Sequence, residues 1–158
     1  MNYFLLDKEI EGFINSLKKS KYSFFPVLEG LSSNGKSISM GFTCYALKTL
    51  YTINSSELKN NEETNRYIDY LKSFSKNYNN FPKYSFIDDS YLKNYKKQYL
   101  KLLIKNTIKF FLGRIKFQEI SPKFKLNEFI QAETKQSLST LNQLGYKFKD
   151  FKEGFQET

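Results

Sequence analysis

The chain has 158 residues, an 18% aromatic share, and 25 Lys and Arg against 16 Asp and Glu, a formal charge of +9. With no histidine and one cysteine, Cys44, it excludes His-based acid–base and nucleophile systems, His-containing zinc sites and an intramolecular disulfide. No run approaches the roughly 18–20 apolar residues of a membrane span, and Asp7, Lys8 and Glu9 stand where a signal peptide needs its apolar region.

These bounds predict one helical domain over 1–158, cytoplasmic, with no integral membrane segment and nothing that calls for a metal or cofactor. The positive balance rests on lysine, because Arg66 and Arg114 are the only arginines. Lysine is a hydrated point charge without the planar fork that reads guanine and phosphate bidentately. Two explanations of the charge stay open: a functional anionic partner, and the Lys, Asn, Ile, Tyr and Phe bias that AT-rich codons produce.

Leu6, Ile10, Phe13, Ile14 and Leu17 fall at helical spacing and predict a first amphipathic helix. Pro26, Gly30 and Gly35 then break the pattern, and the aromatic residues among them predict a packed loop. From Ser39, a candidate N-cap, to about Asn54 apolar residues lie on every side, with Lys48 the sole charge. A helix apolar all round is expected to be covered on all sides. Asn60 with Glu63 resembles a capping box and opens a third helix through Tyr67, Ile68, Leu71 and Phe74. Asp88, Asp89 and Ser90 are good caps for the longest pattern, Tyr91 to Leu112. In it Leu92, Tyr95, Tyr99 and Leu103, with Leu100, Ile104, Thr107, Ile108 and Phe111, form a broad apolar face ended by Gly113. After a linker from Arg114 to Phe124, Asn127 caps a fifth helix that stops at Gly145. The tail carries Phe148, Phe151 and Phe155, so the chain is expected to be a piece of a longer protein or a subunit that hides these side chains in a partner, unless they fold back on their own domain.

An internal repeat pairs 13–26 with 70–82. Ser16 meets Ser73, Leu17 meets Phe74, Tyr22 meets Tyr78, and both copies end in Phe-Pro. Such a repeat implies outer amphipathic helices alternating with inner apolar ones, as in stacked hairpins, whereas chance similarity in a biased composition is the alternative. The fold expected is therefore all-α, layered helical hairpins of about five helices. Ile10 to Leu17, Gly41 to Ile53 and the string Ala132 to Gly145 resemble the outer and inner helices of α/α-toroid proteins, a group that includes terpenoid cyclases, protein prenyltransferase β-subunits and several carbohydrate-active enzymes. The resemblance implies a partial toroid with inner helices at 39–54 and 127–145, acting on or binding a sugar or isoprenoid-like substrate. The pair Asp88-Asp89 lacks the fuller acidic cluster of the cyclases.

If the chain is catalytic, Glu29, Asp88 and Glu133 are its candidate acid–base groups. The structural alternatives are a loop carboxylate, a helix cap and a solvated helix face, respectively. Lys93, Lys97, Lys101, Lys105 and Lys109 recur every fourth residue, with Lys96 beside them, so one face of the long helix carries a positive ridge. That ridge suits nucleic-acid phosphates or an anionic membrane surface, and Tyr91, Tyr95 and Tyr99 offer stacking partners for bases. The alternative is a solvated outer face. A structural or assembly subunit docking through the phenylalanine tail is the third possibility.

Overall fold

A computed structural model describes residues 3–78 and 81–147; the tail with Phe148, Phe151 and Phe155 lies outside them. The described chain is mostly helical, as expected. The elements run α1 (Tyr3–Ser16), β1 (Lys18–Ser20), β2 (Ser23–Phe24), α2 (Ser33–Ser37), α3 (Met40–Thr52), α4 (Ser56–Lys59), α5 (Asn61–Lys72), α6 (Asp89–Phe111), a 3-10 turn (Phe117–Glu119) and α7 (Pro122–Gln143). The five longer helices are those the periodicity predicts. The short α2 and α4, below the length at which apolar period is readable, are additions. No helix among the described residues is long and apolar enough to cross a membrane.

The loop expected after α1 is in part an antiparallel hairpin, with Lys18 opposite Phe24 and Ser20 opposite Ser23. It turns Phe24 wholly into the core. The repeat keeps its helix ends: Ser16 Oγ donates to the Phe13 carbonyl at 2.6 Å and Ser73 Oγ to the Tyr70 carbonyl at 2.6 Å. Beyond that the two copies diverge. The carbonyl of Leu17 accepts from Phe25 N at 2.7 Å, but its counterpart Phe74 accepts from Ile87 N at 2.9 Å, not from Phe81. The second Phe-Pro therefore sits inside a longer excursion and is not the structural equal of the first.

α3 packs against α1, β2, α4 and, most extensively, α7. Leu47, Leu50 and Cys44 of α3 are fully buried with Leu71 and Tyr67 of α5 and Leu141 of α7. Cover on every side does not occur, however. Tyr45 and Tyr51 are exposed and Lys48 is half-buried beside them, because an apolar helix only four turns long still needs one face for solvent. α3 ends where Asn54 adopts φ 51°, Asn54 N donating to the Tyr51 carbonyl and Ser55 N to that of Leu50, a left-handed stop. Gly113, at φ 66°, ends α6 in the same way.

Two helix starts differ from expectation. α7 begins at Pro122, five residues before Asn127, since proline's fixed φ and missing N–H suit the first helical position; a proline read as linker is a helix start. The Asn60 side chain accepts from the amides of Glu62 and Glu63 and so caps α5. Glu63 does not complete a box but lies 3.7 Å from both Lys21 and Arg66.

The third difference concerns α3. Ser39 makes no cap hydrogen bond with its own side chain. Asp88 Oδ2 instead accepts from Ser39 N at 2.8 Å and Met40 N at 3.2 Å, while Asp88 Oδ1 accepts from Ser90 N at 2.9 Å. One buried carboxylate thereby caps α3 in trans and α6 in cis. D88A is expected to lower unfolding free energy by about 2–4 kcal/mol, two caps at roughly 1–2 kcal/mol each, with D88N intermediate. Urea denaturation measures the loss, and amide exchange should accelerate at Ser39, Met40 and Ser90; unaltered exchange at Ser39 and Met40 would remove the trans cap.

Candidate functional site

Two places gather the candidate residues. The first is the start of α3, where the loop before α6 brings Asp88 and α7 brings Glu133. The Glu133 carboxylate lies so close to Gly41 that a Cβ there would meet its oxygens at 2.8 and 2.9 Å, so a side chain at 41 would push the Glu133 carboxylate out of its present position. Gln136, one turn further along α7, donates from Nε2 to the Gly41 carbonyl at 3.3 Å. Thr134 Oγ1 accepts from Phe86 N at 3.0 Å, tying α7 to the strand-like segment before Asp88. Lys19 donates from Nζ to Ser39 Oγ at 2.8 Å, which brings a cation to the rim of the same junction.

Burial raises the Glu133 carboxyl above its ordinary range, and the charge of Asp88 raises it further. Burial likewise pushes up the phenol of Tyr91, with Glu133 adding to the effect. Tyr91 stacks on Phe129 of α7 with ring centroids 3.9 Å apart. Cys44 sits deeper, its thiol raised by burial and 3.6 Å from Ser137 Oγ, as a core residue would be.

The acidic pair splits. Asp88 turns inward as the double cap, and Asp89 turns outward to Lys76 and Tyr78; the Lys76 ammonium and then the Tyr78 hydroxyl hold its carboxyl below the usual range. Glu29 is exposed in the loop after Pro26, and among the described residues no hydrogen bond or ion pair joins it to Asp88 or Glu133. A cavity of about 340 Å³ lies at the opposite end of α3, lined by Leu50, Tyr51, Asn54, Ser55, Leu58 and Lys59 and by none of the three carboxylates. The sequence signal missed at this junction is Gly41: a lone glycine in the first turn of an apolar helix marks a close approach.

The second place is α6. Lys93, Lys97, Lys101 and Lys105 are exposed and Lys109 is half-buried. None of the five has an ion pair among the described residues. No Asp or Glu occurs between Asp89 and Glu119, so the stretch from Ser90 to Gln118 carries no negative side chain. The broad apolar face read from sequence is two faces. Leu92 is buried and Tyr95 half-buried against Ile87, Leu126, Phe129 and Ile130, whereas Leu100 (72% exposed), Ile104 (62%), Ile108 (55%) and Phe111 (81%) point outward. Tyr91, Tyr95 and Tyr99 belong to the inward side, Tyr95 and Tyr99 meeting edge-on at 6.1 Å, so they are not free stacking partners for bases. The Tyr95 hydroxyl is buried without a hydrogen-bond partner among the described residues, and burial pushes its pKa up to about 12.

The outward stripe at 100, 104, 108 and 111 was legible as a set but not as outward, because nine apolar positions exceed what one helix face can bury. No family model, curated protein or solved structure matches the chain.

The raised carboxyl of Glu133 has a signed consequence. Its folded value lies above the unfolded one, so its contribution is fully present below about 4.5 and is lost as pH rises through the folded value. E133Q carries no charge at any pH and escapes that loss. Urea denaturation across this range should show E133Q gaining on the native chain as pH rises; a difference independent of pH would contradict the burial of the charge.

Proposed function

We propose that the chain is a non-enzymatic helical module that holds a polyanion along α6. The observation that carries this reading is the run from Ser90 to Gln118, which has no Asp or Glu, with exposed lysines at 93, 97, 101 and 105 that make no ion pair among the described residues, Lys93 alone standing near enough to Asp89 to help lower its carboxyl. Some charges elsewhere are paired, Lys18 with Glu57 at 2.8 Å, Lys125 with Glu119 at 2.8 Å, and Arg66 with Glu62, but what sets α6 apart is the density of its lysines without an intervening carboxylate. An unpaired ridge along a helix about 35 Å long raises the local concentration of anionic ligands and speeds encounter with them. Its lysines, lacking the bidentate fork, favour a repeated negative charge over a particular base or residue.

The resemblance to α/α-toroid proteins supplies a second reading, favoured by the packing of α3 on α7 and by the meeting of Asp88 and Glu133 at Gly41. In it these carboxylates face a sugar or isoprenoid-like substrate. That reading needs Glu29 at the same junction, so a short bifunctional reagent should join the cysteines of E29C and E133C; failure to join them removes it.

For the leading reading, heparin retention is the direct measurement. The native chain should be held at low salt and released as salt rises, with log affinity falling linearly in log salt. The triple reversal K97E/K101E/K105E should abolish retention while thermal unfolding stays unchanged, since all three side chains are exposed. Retention of the reversed protein at the native salt concentration would remove α6 as the binding element.

A further inference from the structure

We infer that the partner of α6 is an anionic lipid bilayer surface, with the end of the helix and its following turn set into the headgroup region. This rests on the polyanion reading above and adds the partner's class to it. Charge alone does not distinguish phosphates of a nucleic acid from lipid headgroups; the apolar side chains between the charges do. Leu100, Ile104, Ile108 and Phe111 occupy the same outward side as Lys97, Lys101 and Lys105, and Leu112 and Phe117, which follow the helix end, are 61% and 77% exposed. Arg114 and Lys116 flank that tip.

A nucleic-acid backbone would neutralise the lysines and leave these apolar groups in water. A second copy of α6 would cover the apolar groups but press lysine against lysine. A bilayer with anionic headgroups satisfies both at once. An amphipathic helix lies in the interface with its apolar side chains roughly 5–10 Å deep. Lysines lay their stems along that apolar layer and carry the ammonium out to the phosphates.

The fold leaves this end of α6 free to do so. Its other side is tied back by Asn106, whose Nδ2 donates to the carbonyls of Glu119 at 3.2 Å and Ile120 at 3.3 Å, which places the start of α7 beside position 106. The helix beyond Asn106 thus projects past the α7 start, and Phe110 packs on Phe117 with ring centroids 5.9 Å apart, holding the tip as one unit. Leu100 and Ile104 extend the same surface back along the ridge.

The chain contains no tryptophan, so F111W introduces a single reporter at the tip. The test uses the full chain with vesicles of phosphatidylcholine alone and of phosphatidylcholine with phosphatidylserine. Sedimentation with the anionic vesicles only, and a blue shift of the F111W emission on adding them, are expected. F111S/L112S/F117S should weaken vesicle association on the order of ten-fold or more and leave heparin retention as in the native chain, whereas K97E/K101E/K105E should lose both. Native heparin retention without vesicle association overturns the bilayer assignment in favour of a soluble polyanion such as RNA or an acidic protein and leaves the polyanion reading standing, and association without a blue shift overturns the setting of the tip into the headgroups. Absence of native heparin retention overturns the reading on which it rests.

Discussion

The fold depends on the side chain of Asp88. Its two oxygens satisfy the first free amides of two helices at once, one belonging to its own helix and one to a helix 48 residues earlier in the chain. A helix start buried without a partner costs free energy for every unpaired amide, and α3 starts in the interior, where Ser39 and Met40 are buried. The carboxylate therefore links the core built on α3 to the α6–α7 pair, whose own apolar cluster of Ile87, Leu92, Leu126 and Ile130 is separate from the larger one. Negative charge at two helix N-termini is favourable to both macrodipoles, so the burial of Asp88 is compensated where it occurs.

The same junction sets the limits of any chemistry there. Asp88 spends its acceptors on backbone amides, Asp89 is drawn off to Lys76 and Tyr78, and Glu133 is wedged against the one residue without a side chain. Asp88 and Asp89 thus have structural partners, whereas the Glu133 charge is one the burial disfavours. The unclaimed charge lies on α6, where the structure places lysines in water with apolar groups between them. The two ends of α6 thus differ: its first turn is locked by capping, and the outward side of its last turns is left to solvent.

Much of the architecture was legible from spacing alone. The five longer helices follow their apolar periods, and glycine or asparagine stops appear where their sequence positions require them, because these signals are local. What was not legible is non-local. Ser39 looks like a cap for α3, but whether its own hydroxyl or a distant carboxylate takes the amides depends on a loop folding back from position 88. Pro122 is ambiguous in sequence, since proline both breaks a helix and begins one, and only its surroundings decide. The direction of the α6 stripe was hidden for a different reason: a pattern identifies which residues share a face, but which of two apolar faces receives α7 depends on where α7 runs.

The four-residue spacing of the α6 lysines has a geometric consequence of its own. At 3.6 residues per turn, each step of four overshoots a full turn by about 40°, so the ridge is a shallow spiral and not a straight edge. From Lys93 to Lys109 it sweeps roughly 160°, passing from one flank of the helix to the other. Lys109 accordingly has less exposure than Lys97, Lys101 or Lys105. On the bilayer reading, a flat charged plane would touch only the middle of such a spiral at one time, with positions 97, 101 and 105 as the footprint and the outer lysines guiding approach and tilt.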